Sequence, residues 1–188
     1  MNKVGVFCGS SFGTNPFYKE KAIELGQEIA KRGFSLVYGG GNKGLMGAIA
    51  HAVYECGGEV IGVLPKAMAT DAVLNGSVHT RLIIVDDMHE RKKTMYELSD
   101  GFIAMPGGIG TFEEVLEIFT WRQLGIHKHN IALYNPLGFW NYMTLQLQKA
   151  KDEGFITKEV LDTLIIESDA TSILDRLEEM PKELPSKI

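Results

Sequence analysis

The segment at residues 105–114, Met-Pro-Gly-Gly-Ile-Gly-Thr-Phe-Glu-Glu, combines residue types that could bind a phosphate and act on the molecule that carries it. It lies between an apolar run and a long amphipathic stretch, where a strand gives way to a helix. Glycines let backbone N–H groups face a ligand, and the unpaired N–H groups at a helix start attract an anion. Thr111 adds a hydroxyl donor. The segment therefore predicts a phosphate-binding turn.

Two carboxylates, Glu113 and Glu114, follow this turn directly. One interpretation is structural, because Thr111-Phe-Glu-Glu has the spacing of a capping box and acids near a helix start stabilise the helix. The other is functional, because two carboxylates repel a bound phosphate unless they contact another part of the ligand or a cation lies between. Arg91 and Lys92, near the start of the preceding helix, could supply that cation or belong to a solvated helix face. Both interpretations remain open at this point.

Two further glycine-rich turns follow predicted strands, at residues 9–11 and at residues 39–44. Three such turns at the carboxyl ends of parallel strands would meet at the edge where α/β sheets bind ligands. Their glycines could instead serve close packing alone. The Gly-x-Gly-x-x-Gly pattern at residues 39–44 formally matches a dinucleotide-binding fingerprint, but it follows the second strand and no acidic residue ends the next strand. This match is weak, and the P-loop pattern is absent from the sequence.

These turns would be positioned by an alternation of strands and helices. The strands are continuous apolar runs, which is typical of parallel strands covered by helices on both faces. The predicted strands are Val4–Cys8, Ser35–Tyr38, Val60–Leu64, Leu82–Val85, Gly101–Met105, Ile131–Tyr134 and Leu164–Ile166. The predicted helices begin near Pro16, Leu45, Met88, Phe112, Phe139 and Ser172, whereas residues 66–80 show no clear period.

This pattern predicts the α/β class: a single-domain, doubly wound Rossmann-like fold with a mostly parallel sheet of about seven strands and helices on both faces. We expect the domain to occupy residues 1–180 and residues 181–188 to form a frayed C-terminal tail.

Composition limits the function classes. The chain has 188 residues and a formal net charge of -5, so it lacks the dense basic surface that duplex nucleic acid requires and no nucleic-acid partner is expected. No stretch of about 18 apolar residues occurs, so we expect no membrane span. Neither Cys8 and Cys56 nor the five histidines have metal-ligand spacing. We expect a cytoplasmic protein without metal or cofactor, in which Cys8 is a small buried residue and the histidines are surface or hydrogen-bonded residues.

Met88-His-Glu-Arg-Lys92, followed by Pro106-Gly-Gly-Ile-Gly-Thr-Phe-Glu-Glu114, resembles the paired signature of the Lonely Guy (LOG) family, the cytokinin riboside 5'-monophosphate phosphoribohydrolases. The family pattern Pro-Gly-Gly-x-Gly-Thr-x-x-Glu is matched at every fixed position. The resemblance also covers residues 9–11, 38–47 and 120–127, and so nearly the whole chain. Such proteins are often labelled lysine decarboxylases, but the sequence has no recognisable pyridoxal-phosphate lysine context.

The resemblance implies hydrolysis of the N-glycosidic bond of AMP or an N6-substituted AMP, which releases free base and ribose 5-phosphate. It implies Arg91 and Glu114 as the catalytic pair. It also implies a homodimer, with which an apolar helix face around Phe119 and Trp121 is compatible. The candidate substrate-binding residues are Ser10, Gly40, Gly41, Gly44, Met88, Lys92, Pro106, Gly107, Gly108, Gly110, Thr111, Glu113 and Thr120.

The residues suggest a mechanism consistent with this reaction. Breaking the bond at C1' develops positive charge on the ribose, which a carboxylate can stabilise while it activates the attacking water. We assign this role to Glu114 and the ribose hydroxyls to Glu113. Arg91 would fix the phosphate or ribose side and help to keep Glu114 ionised. The acid that assists the leaving base is not identified.

One departure from the family leaves substrate preference open. Family members usually carry a substrate-contacting glutamate in the loop after the third strand, but residues 66–80 contain none and Asp71 is the nearest acid. AMP and isopentenyladenine ribotide are therefore not distinguished. Two competing functions are a nucleotide-binding module without turnover, such as an AMP sensor or carrier, and a nucleic-acid-binding Rossmann domain, against which the acidic charge argues.

Overall fold

A seven-stranded parallel sheet organises residues 1–184, the part of the chain that the computed structural model describes. All six strand pairs are parallel, and the strand order is β4-β3-β2-β1-β5-β6-β7. The predicted doubly wound α/β fold is confirmed, and each predicted strand end lies within one residue of the observed one. The strands are β1 (Lys3–Phe7), β2 (Ser35–Tyr38), β3 (Val60–Pro65), β4 (Arg81–Val85), β5 (Gly101–Ala104), β6 (Asn130–Tyr134) and β7 (Leu164–Glu167).

This strand order creates a switch point beside β1. The chain first moves outward from β1 to β4, then returns to place β5 on the other side of β1 and moves outward again to β7. Phe7 and Ala104, the last residues of β1 and β5, are register partners. The loops that leave these two strands therefore diverge from neighbouring points, and a crevice opens between them at the carboxyl edge.

The helices connect successive strands, except the last, which follows β7. They are α1 (Phe17–Lys31), α2 (Gly44–Glu55), α3 (Asp71–Leu74), α4 (Met88–Leu98), α5 (Ile109–Gln123), α6 (Asn141–Asp152), α7 (Lys158–Leu161) and α8 (Ala170–Glu178). Two short helices were not predicted: α3, within the stretch that showed no period, and α7. The helix predicted to begin at Phe112 begins three residues earlier, at Ile109, because glycines flank its first residue and hide the helical pattern there.

Two apolar cores cover the two faces of the sheet. One includes Val6, Ile29 and Ile49 and lies beneath α1, α2 and α8. The other includes Phe7 and Ile118 and lies beneath α4, α5 and α6. Because successive strand residues point to opposite faces, adjacent residues of β1 enter different cores. Burial on both faces explains why the strands read as continuous apolar runs.

The helices α1 and α2 approach each other closely at Gly26. A Cβ added to Gly26 would lie 2.8 Å from Ala52 Cβ and 2.8 Å from the Ile49 carbonyl oxygen. The missing side chain therefore sets the distance between the two helices, and α2 begins at the second glycine-rich turn. The close contact helps to fix the position of that turn at the sheet edge.

We expect Gly26→Ala to destabilise the protein. Alanine has the better helix propensity by about 1 kcal/mol, but overpacking a close helix contact costs about 1–3 kcal/mol. The contact includes a backbone carbonyl, which cannot rotate away, so overpacking outweighs propensity. Urea denaturation should show a lower midpoint at an unchanged slope.

The matched control is Gly110→Ala in α5, where an added Cβ meets nothing within 4 Å. This variant should show no loss of stability. If Gly26→Ala were as stable as the wild type, the close contact would not limit the helix distance.

The segment after α8 is partly held in place. The Lys182 carbonyl accepts a hydrogen bond of 2.8 Å from Arg122 Nη2, and Lys182 Nζ donates to the Asp162 carbonyl. Leu184 packs against the second core. The expectation of a frayed tail is therefore wrong for residues 181–184, while its remainder, residues 185–188, lies outside the described residues. Within residues 1–184, no helix has the length and apolar character needed to cross a membrane.

Candidate active site

The three glycine-rich turns meet at the switch point and bond to one another. The Gly9 N–H donates a hydrogen bond of 3.1 Å to the Pro106 carbonyl, which joins the first turn to the third. The Leu45 N–H donates a hydrogen bond of 3.0 Å to the Gly9 carbonyl, which joins the start of α2 to the first turn. These backbone bonds hold the turns in fixed relation, as the shared sheet edge predicted.

A cleft of about 510 Å³ opens at this edge, in the size range of small-molecule sites. Its walls come from the ends of β1 and β2, the start of α4 and the first two turns of α5. Eight of the candidate residues line it: Ser10, Met88, Arg91, Gly108, Gly110, Thr111, Glu113 and Glu114. Of the other lining residues, Gly9, Gly39 and Ile109 belong to the three predicted turns, whereas sequence reasoning missed Val6, Phe7, Cys8, Met46 and Met68.

The amino end of α5 is open toward the cleft. The helix begins at Ile109, and no side chain caps it. Cβ atoms added to Gly108 or Gly110 would meet nothing within 4 Å, so both backbones are accessible to a ligand. The first-turn N–H groups and the positive end of the helix dipole are therefore available to an anion.

The capping-box interpretation of the two glutamates is wrong. Because α5 begins at Ile109, Thr111 lies inside the first turn and is buried, and no acidic residue occupies that turn. Glu113 and Glu114 lie in the second turn, too far along the helix for the reciprocal bonds of a capping box. Their carboxylates do not cover the N–H groups that could bind a phosphate.

Several candidate glycines serve packing rather than lining the cleft. A Cβ at Gly44 would lie 2.3 Å from the Ser11 backbone nitrogen, and one at Gly107 would lie 2.1 Å from Thr111 Oγ1. Gly40 adopts a φ of 76° with its Cβ position 3.2 Å from Leu64 Cβ. These three glycines therefore allow close packing of the turns, whereas Gly108 and Gly110 leave their backbones open to a ligand.

A buried ion pair closes one side of the cleft. Arg91 Nη1 lies 2.9 Å from Glu114 Oε1, and the two side chains are only 13% and 10% exposed. Arg91 Nε also donates to the Val63 carbonyl at 3.3 Å. Asp87 caps α4 by accepting a hydrogen bond of 2.9 Å from the Glu90 N–H, which fixes the helix start from which Arg91 projects. Arg91 is thus not part of a solvated helix face.

Burial raises the pKa of Glu114 above its ordinary value. The charge of Arg91 lowers the pKa of Glu114, as predicted, but by less than the loss of hydration raises it. A carboxylate with a raised pKa is a stronger base than an exposed glutamate. Its position beside an open helix start suits it to accept a proton from a molecule in the cleft.

A second charged group lies at the edge of the cleft, which Glu113 lines and Lys92 does not. Lys92 Nζ bonds the carboxylate of Glu113 and lies 2.9 Å from Glu117 Oε1. Burial lowers the pKa of Lys92, but the two carboxylates more than offset this and raise it overall. Thr120 Oγ1 donates to the Leu116 carbonyl of its own helix at 2.7 Å. Neither Lys92 nor Thr120 lines the cleft, and Gly40, Gly41, Gly44, Pro106 and Gly107 also lie outside it.

Other titratable residues do not add reactive groups to the cleft. Cys8 is buried as expected, and burial together with the nearby Glu114 raises the pKa of its thiol, which disfavours a thiolate nucleophile. His79 and His127 each contact a backbone carbonyl, those of Gly40 and Ile118. Among residues 1–184, no group of three or more His, Cys, Asp or Glu side chains could hold a metal ion.

We expect Arg91→Gln to raise the pKa of Glu114 further, because the guanidinium is the main group that opposes burial. A carboxyl titration followed by NMR on protein labelled with ¹³C-glutamate would give the value, and Glu114→Gln would assign the signal. A raised folded-state pKa also means that ionising Glu114 costs folding free energy. Stability should therefore fall as pH rises from about 4.5 through the folded-state pKa, a slope absent from Glu114→Gln.

Lys92→Gln is the matched control, since Lys92 also lowers the pKa of Glu114 but by a smaller effect than Arg91. Lys92→Gln should raise the pKa of Glu114 less than Arg91→Gln does. An unchanged pKa in Arg91→Gln would show that the ion pair does not form in solution.

The chain is similar to known proteins in sequence and in structure. The sequence model of a family described as "Possible lysine decarboxylase" matches residues 46–177. The cytokinin riboside 5'-monophosphate phosphoribohydrolase LOG5 of Arabidopsis thaliana is 44% identical over 178 residues, which cover 95% of this chain and 78% of that protein. The cytokinin riboside 5'-monophosphate phosphoribohydrolase LOG of Oryza sativa subsp. japonica is 43% identical over 183 residues, which cover 97% of this chain and 75% of that protein.

Solved structures share the fold at low identity. The molybdenum cofactor binding protein from Rippkaea orientalis superposes with a TM-score of 0.70 at 22% identity and covers 93% of both chains. The molybdenum cofactor carrier protein from Chlamydomonas reinhardtii has a TM-score of 0.70 at 21% identity and covers 95% of this chain and 99% of that one. At such identity the likeness shows the fold alone.

Proposed function

The chain belongs to the LOG family of cytokinin riboside 5'-monophosphate phosphoribohydrolases, and we propose that it hydrolyses the N-glycosidic bond of adenine-type nucleoside 5'-monophosphates. The products are the free base and ribose 5-phosphate. The substrates are AMP, its N6-substituted cytokinin forms, or both. The observation that carries this proposal is the buried Arg91–Glu114 pair beside the open amino end of α5.

Binding begins with the phosphate at the start of α5. Gly108, Gly110 and Thr111 present backbone N–H groups and a hydroxyl there, and the helix dipole favours the negative charge. The ribose then lies toward the second turn of the helix, where Glu113 and Glu114 face the cleft. The carboxylates contact the sugar and the N–H groups hold the phosphate, so one helix end serves both parts of the substrate.

Glu114 supplies the base and the electrostatic stabilisation. As the bond between C1' and the base nitrogen breaks, its electron pair leaves with the base, which takes a proton from solvent to become the free base, and positive charge develops on the ribose. The Glu114 carboxylate stabilises that charge and takes the proton of the water whose oxygen bonds C1'. The raised pKa of Glu114 lies closer to neutral pH than that of an exposed glutamate. A general base is most effective when its pKa is near the working pH.

Arg91 orients this carboxylate. It holds one oxygen of Glu114 at 2.9 Å and opposes the rise in its pKa, so that the ionised form is kept available. The same guanidinium lines the cleft and can contact the phosphate or the ribose. Glu113, which bonds Lys92, is placed to accept hydrogen bonds from ribose hydroxyls.

The description of the matching family as a possible lysine decarboxylase does not fit the cleft. Chemistry that uses pyridoxal phosphate requires a lysine that forms a Schiff base with the cofactor. Among the described residues, the cleft is lined by one basic side chain, that of Arg91, and by no lysine. Lys92, the adjacent basic residue, does not line the cleft and bonds the carboxylates of Glu113 and Glu117.

Glu114→Gln should keep nucleotide affinity and lose most turnover, about 10²–10⁴-fold in kcat, because the amide cannot accept the water proton. Arg91→Ala should impair both binding and turnover. The assay incubates the protein with AMP and, separately, with isopentenyladenosine monophosphate, and separates free base and ribose 5-phosphate by chromatography.

Lys93→Gln is the control, since Lys93 is exposed and lies outside the cleft; it should hydrolyse at the wild-type rate. Wild-type turnover in Glu114→Gln would remove Glu114 from the mechanism. If the wild type binds both nucleotides and cleaves neither, the chain is a nucleotide-binding module instead.

We propose further that the protein is a homodimer. Exposed residues 109, 113, 116, 120 and 124 follow one face of α5, and three of them are apolar. Ile109, Leu116 and Leu124 are 80%, 41% and 46% exposed. This α5 stripe starts at the cleft and continues past Thr120, so a partner packed on it would lie next to the site. Burying it would remove the apolar surface from water.

Leu116→Glu combined with Leu124→Glu should halve the mass measured by light scattering, because two charges would be buried at the contact. Tyr142→Glu on α6, where the side chain is 86% exposed, is the control and should leave the mass unchanged. A wild type with the mass of one chain would contradict the dimer.

We propose that residues 1–180 form one catalytic domain around the continuous sheet. We propose a cytoplasmic location, with which the unpaired state of Cys8 and Cys56 is compatible.

A further inference from the structure

Gly39 lies directly behind the guanidinium of Arg91. It is the first residue after β2, it is buried, and it lines the cleft. A Cβ added to Gly39 would lie 2.1 Å from Arg91 Nη2 and 3.2 Å from Arg91 Cζ. Real Cβ atoms essentially never approach another atom that closely, so the present position of Arg91 exists only because residue 39 has no side chain.

The rest of the guanidinium is already committed to other partners. Arg91 Nη1 contacts Glu114 Oε1 at 2.9 Å and Met88 Sδ at 3.3 Å, and Nε donates to the Val63 carbonyl. Nη2 is the remaining nitrogen, and it occupies the space above Gly39. A planar fork held at Nε and Nη1 cannot move its third nitrogen without changing those contacts.

The backbone conformation does not require a glycine at position 39. The φ angle of Gly39 is not positive, unlike those of its neighbours Gly40 and Gly44 in the same turn. Alanine can therefore adopt the backbone conformation at position 39. Met46 Sδ, at 3.5 Å from the added Cβ, is at ordinary contact distance. The conflict is with the flexible end of Arg91, so an alanine would displace the guanidinium and leave the fold in place.

We propose that Gly39 is a positioning residue for the reaction, which holds Arg91 against Glu114 by leaving space for Arg91 Nη2. This inference rests on the proposed function in one respect, the catalytic role of the Arg91–Glu114 pair. An alanine at position 39 forces Nη2 to retreat by about 1 Å to a normal contact, and a misplacement of that size in an active site costs about 10²-fold in rate.

The test compares Gly39→Ala with the wild type by two readouts. The value of kcat/KM should fall about 100-fold. The pKa of Glu114, followed by NMR as for Arg91→Gln, should rise toward the value of that variant, because the displaced guanidinium no longer opposes burial. A glycine that served only to shape the turn would not change this pKa.

Gly101→Ala is the matched control. Gly101 begins β5, at the opposite end of the sheet from the cleft, and an added Cβ would meet Leu177 and Met1 at 3.1 Å. This variant places alanine at another sheet position where the added Cβ would have close neighbours. Its kcat/KM and the pKa of Glu114 should match the wild type.

The double variant Gly39→Ala with Arg91→Ala separates positioning from a direct effect. If Gly39 acts through Arg91, adding Gly39→Ala to Arg91→Ala changes neither kcat/KM nor the pKa of Glu114. A further loss in the double variant, or an unchanged pKa of Glu114 in Gly39→Ala, would overturn the proposal. If Gly39→Ala fails to fold, a folded double variant still identifies Arg91 as the source of the clash, whereas an unfolded one overturns the proposal.

The two proposals fail in different ways. If the wild type hydrolyses no nucleotide, the proposed function fails, but the NMR titration still reports whether Gly39 positions Arg91. If the wild type hydrolyses AMP while Gly39→Ala retains full activity and an unchanged pKa of Glu114, the function stands and the positioning role of Gly39 is rejected.

Discussion

The ion pair between Arg91 and Glu114 is the interaction on which the arrangement of the site depends. Removing two charges from water is costly unless their geometry is held and their remaining donors and acceptors are satisfied. Here the support comes from separate parts of the chain: Arg91 projects from α4, Glu114 projects from α5, and the Val63 carbonyl belongs to β3. Because the sheet sets the spacing of these elements, the fold holds the Glu114 carboxyl group against Arg91 at low hydration.

The start of α5 explains how one helix end can present both open N–H groups and two carboxylates. Phosphate and carboxylate would compete for the same helix end if both occupied the first turn. The helix instead begins with a turn of uncharged residues, and its two glutamates follow in the second turn. The N–H groups remain available to an anion, while Glu113 and Glu114 face the neighbouring part of the cleft. A shift of three residues in the helix start thus separates the open N–H groups from the two carboxylates along one helix.

Glycine has several distinct uses around this cleft. Gly108 and Gly110 leave their backbones open to a ligand, whereas Gly44 and Gly107 allow one turn to pack against another. Gly39 leaves space for a charged side chain rather than for backbone. Composition alone does not separate these uses, because each depends on what lies opposite the missing Cβ. Only the third turn, with its threonine and its following helix, carried enough local signal to predict ligand binding.

The sequence by itself determined the parallel sheet, nearly every strand end and the family, because apolar runs and turn residues act locally and the motifs are contiguous. Tertiary structure decided which candidates reach the cleft. Lys92 is adjacent to Arg91 in the chain, yet successive helix residues point in different directions, and Lys92 bonds Glu113 and Glu117 without lining the cleft. The true start of α5, the contribution of Met46 and Met68 to the cleft and the contact of Gly39 with Arg91 depend on packing between distant segments. Burial, which raises the pKa of Glu114, exists only once those segments have come together.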